Sequence, residues 1–512
     1  MSQPSSSSDI ELANTRASSE GMVEREFELD SSVIPNLIPV LAADFKTMGD
    51  TGWYGSSFLF ALGASQPILG KLYSEFSVRG TFTASVVLFA VSSVMCALSN
   101  SSAMFIASRT LCGLGSGGMT TGTIIISYHV IPEHLRPLCN GLVGVFETLA
   151  TILGPIVGGV LASGIGWRWA FWINLPVAAL VAAPVLLLYR GCGDREEASA
   201  STTWAEKIAR LDLDGGALLT ASILCLLFGV QQIGQDRIGA LVGLLVAFAV
   251  LLAAAGFHQH RKGAAATFPP HMFGKRSFSA CLLYGFFMKA SEAVVYYQLP
   301  PWFQTVKCAS PRGSALMLMP SLIALIGGSV ISGVGASLVC RRLPPFMLAG
   351  AAIACAGAVL LRFLETDAGP ARWIGYQIPY GFGCGMGLQL SIVGVQVALD
   401  AGDVAFGSSV AMVARILGAA IFIFVAQVVY IGKLAGLGDI LPGANADTFS
   451  ACDLKHSAGF KAALDLYNRA TGHAMIVAVV LIFCVLPSAA LVSWTPLKKE
   501  EKHAKTEPVP DN

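Results

Sequence analysis

A few ionisable residues stand inside long apolar stretches of this 512-residue sequence, and they are its first candidates for chemistry. Glu147, Arg109 and Arg415 each lie among apolar and small residues. A charged side chain is expensive inside a membrane and usually serves a function there. Because burial favours the protonated form of a carboxyl group, Glu147 is a candidate proton carrier. The alternative is that Glu147 forms a structural ion pair with Arg109.

Other polar residues within apolar segments are the predicted lining of a substrate cavity. Lys289 and Glu292 are three residues apart, so they share a helix face and can satisfy each other, which favours a structural ion pair. Arg415 is a candidate for binding either an anionic substrate or a buried acid. Uncharged hydrogen-bonding groups come from one later segment, at Gln377, Gln389 and Gln396.

Motifs for enzyme chemistry are weak in this sequence. Gly113, Gly115 and Gly118 spell GxGxxG, but they lie within an apolar helix that follows no strand, so a dinucleotide site is not expected. The histidines near His129 and His258 are too sparse for a catalytic cluster. The twelve cysteines have no metal-ligand spacing and are interpreted as small packing residues, not as a disulfide framework. We expect no enzyme activity, no metal and no cofactor.

The composition indicates that the elements carrying these residues lie in a membrane. Charged residues make up 13% of the chain, against roughly 25% in soluble domains. The net charge of +1 argues against nucleic acid as a partner. A helix needs about 20 apolar residues to cross a bilayer. Thirteen segments approach or exceed this length, at 53–70, 80–98, 103–128, 138–164, 169–189, 213–232, 238–257, 278–301, 314–337, 345–362, 373–399, 404–431 and 472–494. We predict an all-α integral membrane protein.

Basic residues decide the predicted orientation, because they concentrate in cytoplasmic loops. A fourteenth segment, SSVIPNLIPVLAADF from Ser31, precedes the thirteen and is taken as helix 1. One set of alternate loops then contains most of the lysines and arginines, among them Lys71, Arg136, Arg261 and Arg341. Both termini are therefore predicted to be cytoplasmic. The expected location is the cell membrane, with the vacuolar membrane as the alternative.

Two polar linkers divide the chain into unequal parts. The predicted organisation is a disordered cytoplasmic tail at 1–30, a six-helix bundle at 31–190, a cytoplasmic linker at 191–211, an inserted helix pair at 212–257, a second cytoplasmic linker at 258–277, a second six-helix bundle at 278–495 and a cytoplasmic tail at 496–512. The first tail is Ser-rich and acidic and has no apolar core, which is typical of disorder and excludes a cleaved signal peptide.

The segment ATILGPIVGGVLAS, residues 150–163, has an unusual composition for a membrane helix. It contains Gly154, Pro155, Gly158 and Gly159, although Gly and Pro are unfavourable in a helix interior. Small residues four apart let helix backbones approach closely, so the motif predicts a flat, kinked interface. Ordinary small-residue packing is the equal alternative. The stretch GGSVISGVGAS (327–337) has the same spacing and is the predicted partner.

A faint internal repeat accompanies this motif. The pentapeptide ATILG (150–154) has a counterpart, ARILG (414–418), in the fifth helix of the second bundle. Such a positional match is what duplicated transporter halves produce. The repeat makes Arg415 the counterpart of Thr151, one turn from Glu147.

The GPxxGG motif and the stretch GWRWAFWINLP (166–176) resemble the antiporter motif of the major facilitator superfamily, and more narrowly of the fungal fourteen-helix drug:proton antiporters. That family includes exporters of toxins and secondary metabolites. WYGSSFLF, GKLYSEFS, YYQLPPWFQTVK and YQIPYGFGCGMGLQ are similar to further parts of its pattern, so the resemblance covers roughly residues 29–495. Arg109, about 9 Å below the outer end of its helix, is similar to an arginine that the family uses near its proton-coupling site.

The resemblance implies two six-helix bundles with an inserted helix pair, and proton-coupled export of a small, largely apolar organic compound by alternating access. Proton coupling is then expected at Glu147, Arg109 and Asp30. The implied partners are the small-molecule substrate, protons and the lipid bilayer, with the chain as a monomer. Two alternatives stay open: uptake of a nutrient or an iron chelate, and a pseudo-transporter that moves nothing.

The sequence departs from the family pattern at two places. In GKLYS (70–74) the position that is acidic in the family holds Ser74, with Glu75 next. In LDSSVI (29–34), Asp30 resembles an acidic residue that the family places in mid-membrane. Only about fifteen residues from Ser31 can enter the bilayer, and they span roughly 22 Å against a hydrocarbon core of about 30 Å. We therefore expect a truncated helix 1, with Asp30 near the cytoplasmic interface.

Overall fold

The computed structural model describes residues 37, 40–41, 44–46, 50–163, 166–188, 212–232, 238–263, 270–400, 402–434 and 460–497. All regular structure in these residues is helical, and thirteen helices of at least 15 residues coincide with the thirteen apolar segments. They are α1 Thr51–Glu75, α2 Val78–Ala97, α3 Ser102–Val130, α4 Arg136–Ser163, α5 Asn174–Leu188, α6 Leu213–Gln231, α7 Ile238–Lys262, α8 Arg276–Val306, α9 Met319–Val334, α10 Pro344–Arg362, α11 Pro370–Ala398, α12 Val404–Leu434 and α13 Phe460–Leu491.

The helices run alternately between two faces of the molecule. One face carries Lys71, Arg136, Arg261 and Arg341, and we call it the basic face. Nine helices within the described ranges are long and apolar enough to cross a bilayer. The chain is therefore a multi-pass membrane protein, as its composition predicts.

Two apolar cores hold the helices together. One is built from α8 to α13 and is centred on buried aromatic side chains such as Phe278, Tyr284 and Phe303. The other is built mainly from α1, α2, α3 and α5. Helix α4 packs against α9 and α11 of the first group, and α12 packs against α1 and α3 of the second. The candidate site lies where these two groups of helices meet.

The end of the first apolar segment is held on the face opposite the basic face. The Phe45 ring lies 5.8 Å from Phe105 and 5.7 Å from Trp167 between ring centroids. Asp44 accepts a hydrogen bond from Trp167 Nε1 at 3.1 Å and pairs with Arg168 at 3.3 Å. Asp30 lies outside the described residues, so its position at the interface stays a prediction.

The inserted pair, α6 and α7, packs on the outside of α1. Thr220 of α6 donates a hydrogen bond to the carbonyl of Ala64 at 2.8 Å, and Phe228 stacks edge-on against Phe60. Helix α7 is peripheral, since apolar side chains such as Val246 and Val250 are more than half exposed. An exposed valine is favourable in lipid, so this surface faces the bilayer.

A polar cluster on the basic face ties the two inserted helices together. The Asp212 carboxylate is 1% exposed and accepts from Lys262 Nζ at 2.6 Å, with His258 Nε2 at 3.2 Å. Asp212 precedes α6, whereas Lys262 and His258 come from the last turns of α7. The ends of the pair are thereby joined through one buried carboxylate.

We expect Asp212→Asn to lower the free energy of unfolding, because it removes the charged acceptor from Lys262. Hydrogen bonds to charged groups contribute about 1.5–3 kcal/mol, so a clear fall in Tm should follow in detergent-purified protein. Asp214→Asn is the matched control, since Asp214 is exposed in the first turn of the same helix. Equal Tm values for both variants would show that the Asp212 cluster does not stabilise the pair.

The cysteines behave largely as the sequence predicts, with one correction. Nine described cysteines are free, and most of them are buried. Cys308, two residues after α8 and opposite the basic face, is instead disulfide-bonded. The prediction that all cysteines serve packing is wrong at this position, because spacing along a sequence does not reveal which loops meet in space.

Candidate functional site

Four of the predicted charged residues lie together between the two groups of helices. Lys289 Nζ is 2.6 Å from Glu292 Oε2, the pairing that their spacing predicts. Lys289 also interacts electrostatically with Arg415 and Glu147. Glu147, Arg415, Lys289 and Glu292 stand 11 to 16 residues from the basic-face ends of their helices, about 16–24 Å at 1.5 Å per residue. They therefore share a depth near the middle of the membrane.

Glu147 is joined to the opposite helix group by a hydrogen bond. Gln389 Nε2 of α11 donates to Glu147 Oε2 of α4 at 2.8 Å. Gly144, one turn before Glu147, makes room for this contact, because a Cβ there would lie only 3.0 Å from the Gln389 side chain. Glu147 is half-buried. Its carboxylate is thus bound by a neutral partner.

Arg415 reaches the cluster from α12. The residue is 8% exposed, and its side chain passes over Gly285 of α8. A Cβ at Gly285 would lie 3.5 Å from Arg415 Cγ and 3.1 Å from Ser391 Oγ. The glycine therefore allows the side chains of Arg415 and Ser391 to pack closely against α8.

The other two glutamines predicted for the cavity lie elsewhere. Gln377 Nε2 donates to the carbonyls of Met317 and Trp373, near the end of α11 that is opposite the basic face. Gln396 Nε2 donates to the Ile124 carbonyl of α3 at 3.2 Å, near the basic face. Along α11 they stand about 18 Å and 10 Å from Gln389. Of the three, the structure brings only Gln389 to the charged cluster.

Arg109 is fully buried inside its own helix group. Its Nε donates to the carbonyl of Tyr54 at 3.2 Å, and its guanidinium lies 4.4 Å from the centre of the Phe58 ring. Glu147 makes its polar side-chain contact with Gln389 instead. The alternative of an ion pair between Arg109 and Glu147 is therefore not realised. A role for Arg109 in proton coupling stays a prediction.

Helices α4 and α9 pack closely, as the small-residue spacing predicts, but the described contacts lie nearer the basic face than GPIVGG does. A Cβ at Gly141 would lie 2.7 Å from the Ser329 carbonyl oxygen and 3.4 Å from Gly333. The Leu138 amide donates to Ser337 Oγ at 2.9 Å. Gly154 is buried, and Pro155, Gly158 and Gly159 lie within α4, while the surroundings of these three fall outside the described residues.

A second close approach on the basic face joins α1 to α12. A Cβ at Gly70 would collide with Ser409, so only glycine fits there. Lys71 Nζ lies 4.8 Å from the centre of the Phe406 ring and 3.7 Å from Glu75 on its own helix. The Ser74 hydroxyl donates a hydrogen bond to the Lys71 carbonyl. Glu75 thus pairs with Lys71, next to Ser74, the position at which the sequence departs from the family pattern.

Sequence reasoning missed a group of hydroxyls beside Glu292. Tyr296 and Tyr380 both interact electrostatically with Glu292. Tyr296 hydrogen-bonds Ser321 at 3.0 Å, and Tyr380 hydrogen-bonds Ser291 at 3.1 Å. The spacing of Glu292 and Tyr296, one helical turn, was the available signal. Nothing in the sequence indicates that Tyr380 lies nearby.

Two fungal proteins are similar to this chain over most of its length. The efflux pump apf11 of Gibberella fujikuroi is 38% identical over 490 residues, covering 94% of this chain and 87% of that protein. The aspyridones efflux protein of Neocamarosporium betae is 33% identical over 487 residues, covering 93% and 86%. These relatives are transporters and not enzymes.

The fold comparison agrees with the sequence comparison. The crystal structure of a double-tryptophan mutant of XylE matches with a TM-score of 0.62 at 15% identity, covering 96% of this chain and 98% of that one. Residues 27–423 match the family model described as Major Facilitator Superfamily. With this match and the fungal relatives, the chain belongs to the major facilitator superfamily.

Proposed function

We propose that this protein is a proton-coupled exporter that moves a small, largely apolar organic compound by alternating access. The observation that carries the proposal is the hydrogen bond from Gln389 to Glu147. This bond lies at the contact between the two helix groups, at the depth of the charged cluster, and its acceptor is the carboxylate of a half-buried residue. The names of the two fungal relatives, both efflux proteins, support export of an organic compound.

In the proposed cycle, Glu147 carries the proton. While Glu147 is ionised, it accepts from Gln389 and links α4 to α11. Protonation removes the charge that this bond depends on, so the two helix groups can separate there. One pH unit supplies about 1.4 kcal/mol, and each charge moved supplies about 2.3 kcal/mol per 100 mV. These terms are large enough to drive the compound against a gradient.

The substrate cavity in this proposal is bordered by Arg415, Lys289, Glu292 and Gln389. The basic face is cytoplasmic, with both termini on that side of the cell membrane, and the monomer is the working unit. The contacts of Gly70 and Gly141 then close the cytoplasmic side. Reopening them would let the compound enter from the cytoplasm.

Inverted membrane vesicles from a fungal host test the proposal. The probes are N-dansyl-leucine and N-dansyl-leucinamide, which share an apolar body and differ in one carboxylate. We expect vesicles with an acidified lumen to accumulate at least one probe, and nigericin to abolish the accumulation. Vesicles without the protein are the control. If neither probe accumulates in response to the proton gradient, the proposed function is contradicted.

A cross-link across the basic face tests alternating access. In a Cys340→Ser background, Leu138→Cys combined with Ser337→Cys should form a disulfide, because these residues hydrogen-bond at 2.9 Å. We expect oxidation to stop transport and a reductant to restore it, since the closed face can no longer open. The Leu138→Cys variant alone is the control. Full transport by cross-linked protein would rule out the opening of this face.

A further inference from the structure

Arg415 stands out among the charged residues of the central cluster because none of the described residues pairs with it directly. The residue is 8% exposed. Among the residues that the structure describes, none forms an ion pair or a hydrogen bond with its guanidinium. Its nitrogen atoms are nevertheless not fully enclosed by the described residues.

The two nearby acids are already engaged by other partners. Glu292 pairs with Lys289 at 2.6 Å, and Glu147 accepts from Gln389 at 2.8 Å. Arg415 and Lys289 repel each other electrostatically, and Glu147, which balances this charge in the cluster, makes its hydrogen bond to Gln389 and not to Arg415. A buried charge is expensive unless it is paired. An anionic group that enters the site can supply the direct partner that none of the described residues provides.

We propose that Arg415 binds the anionic group of the transported compound, so that the substrates are apolar organic acids carrying a carboxylate or an acidic enol. This inference rests on the proposed export function and adds the chemical class of the substrate to it. The guanidinium suits the role because its planar donors match two oxygen atoms and it is weakly hydrated. Ser391 Oγ lies close to the same part of α8 as the Arg415 side chain, because a Cβ at Gly285 would lie 3.1 Å from Ser391 Oγ and 3.5 Å from Arg415 Cγ.

The arrangement also explains why an apolar body is needed. A single buried cation can neutralise one anionic group, and α8 and α12, which carry Lys289 and Arg415, consist mainly of apolar residues. A compound with one acidic group and an apolar remainder satisfies both features. A neutral compound of the same shape would leave Arg415 desolvated without a partner.

The test is binding of the two dansyl probes to the full chain in nanodiscs, read by dansyl fluorescence. We expect N-dansyl-leucine to bind at least tenfold more tightly than N-dansyl-leucinamide. Arg415→Gln should reduce this preference to less than twofold, and Arg415→Lys should retain part of it. Arg372→Gln is the matched control. Arg372 is 57% exposed in the first turn of α11, so this variant should keep the full preference.

The outcomes separate this inference from the proposed function. Equal binding of acid and amide, no binding of the acid, or an unchanged preference in Arg415→Gln would each overturn the inference. Thermal unfolding of each variant in the same nanodiscs shows whether it is folded. If Arg415→Gln does not fold, Arg415→Lys supplies a second readout. A bound acid that never accumulates in vesicles would contradict export while leaving the role of Arg415 intact. Export of acid and amide at equal rates would support the export function and contradict the role of Arg415.

Discussion

Replacing Glu147 by glutamine is expected to reduce proton-driven export to the level of vesicles that lack the protein. Glutamine has nearly the same shape but cannot take up a proton at neutral pH. Its amide resembles the protonated carboxyl group, so the two helix groups should still separate as they do after protonation. Probe binding and counterflow, in which no net proton moves, should therefore remain largely intact.

The comparison between gradient-driven export and counterflow makes this experiment specific. A folding defect would lower both rates, whereas loss of the proton carrier lowers only the first. Glu365→Gln is a suitable control, because Glu365 is 68% exposed in a loop and pairs with exposed Arg372. If Glu147→Gln exports with an unchanged dependence on the proton gradient, Glu147 is not the carrier.

The second large effect is expected from Gly141→Leu on α4. A single Cβ there would already lie 2.7 Å from the Ser329 carbonyl oxygen, and leucine adds three more carbons. Overpacking a close contact typically costs about 1–3 kcal/mol, equivalent to about 5–150-fold in a conformational equilibrium. The closed basic face should become rare, and transport should fall by a comparable factor.

Gly243→Leu gives a matched control for this substitution. Gly243 lies on peripheral α7, and a Cβ there meets nothing within 4 Å. We expect this variant to transport normally and to unfold at the native Tm. Gly141→Leu should keep its expression level, because the strain affects one conformation of the cycle. Normal transport by Gly141→Leu would show that α4 and α9 do not need to approach closely.

Charges inside apolar segments were the most informative part of the sequence. Glu147, Lys289, Glu292 and Arg415 come together at one depth. Such charges are informative because a membrane protein rarely retains so costly a group without a use. Amides are less informative. Gln377 satisfies backbone carbonyls within one helix group, which is a structural task that a glutamine performs at little cost.

Small-residue spacing predicts which helices meet but not at what height. Helix α4 packs on the 327–337 stretch through the contacts of Gly141 with Ser329 and Gly333, whereas the pairing of GPIVGG with that stretch stays a prediction. The motif that suggested it, GPIVGG, begins more than three turns later in the same helix. Height along a helix is decided by how the whole bundle packs, and a local pattern carries no information about that.

The disulfide at Cys308 has a consequence for how the chain sits in its membrane. Disulfides persist in oxidising compartments such as the secretory lumen and the cell exterior, and are rare in the reducing cytosol. Cys308 lies opposite the basic face, whereas Cys340 on the basic face is exposed and remains a free thiol. The redox state of these two cysteines thus supports the same orientation as the distribution of lysines and arginines, by chemistry that is independent of charge. A reagent that labels thiols but does not cross membranes should accordingly modify Cys340 only after the cells are permeabilised.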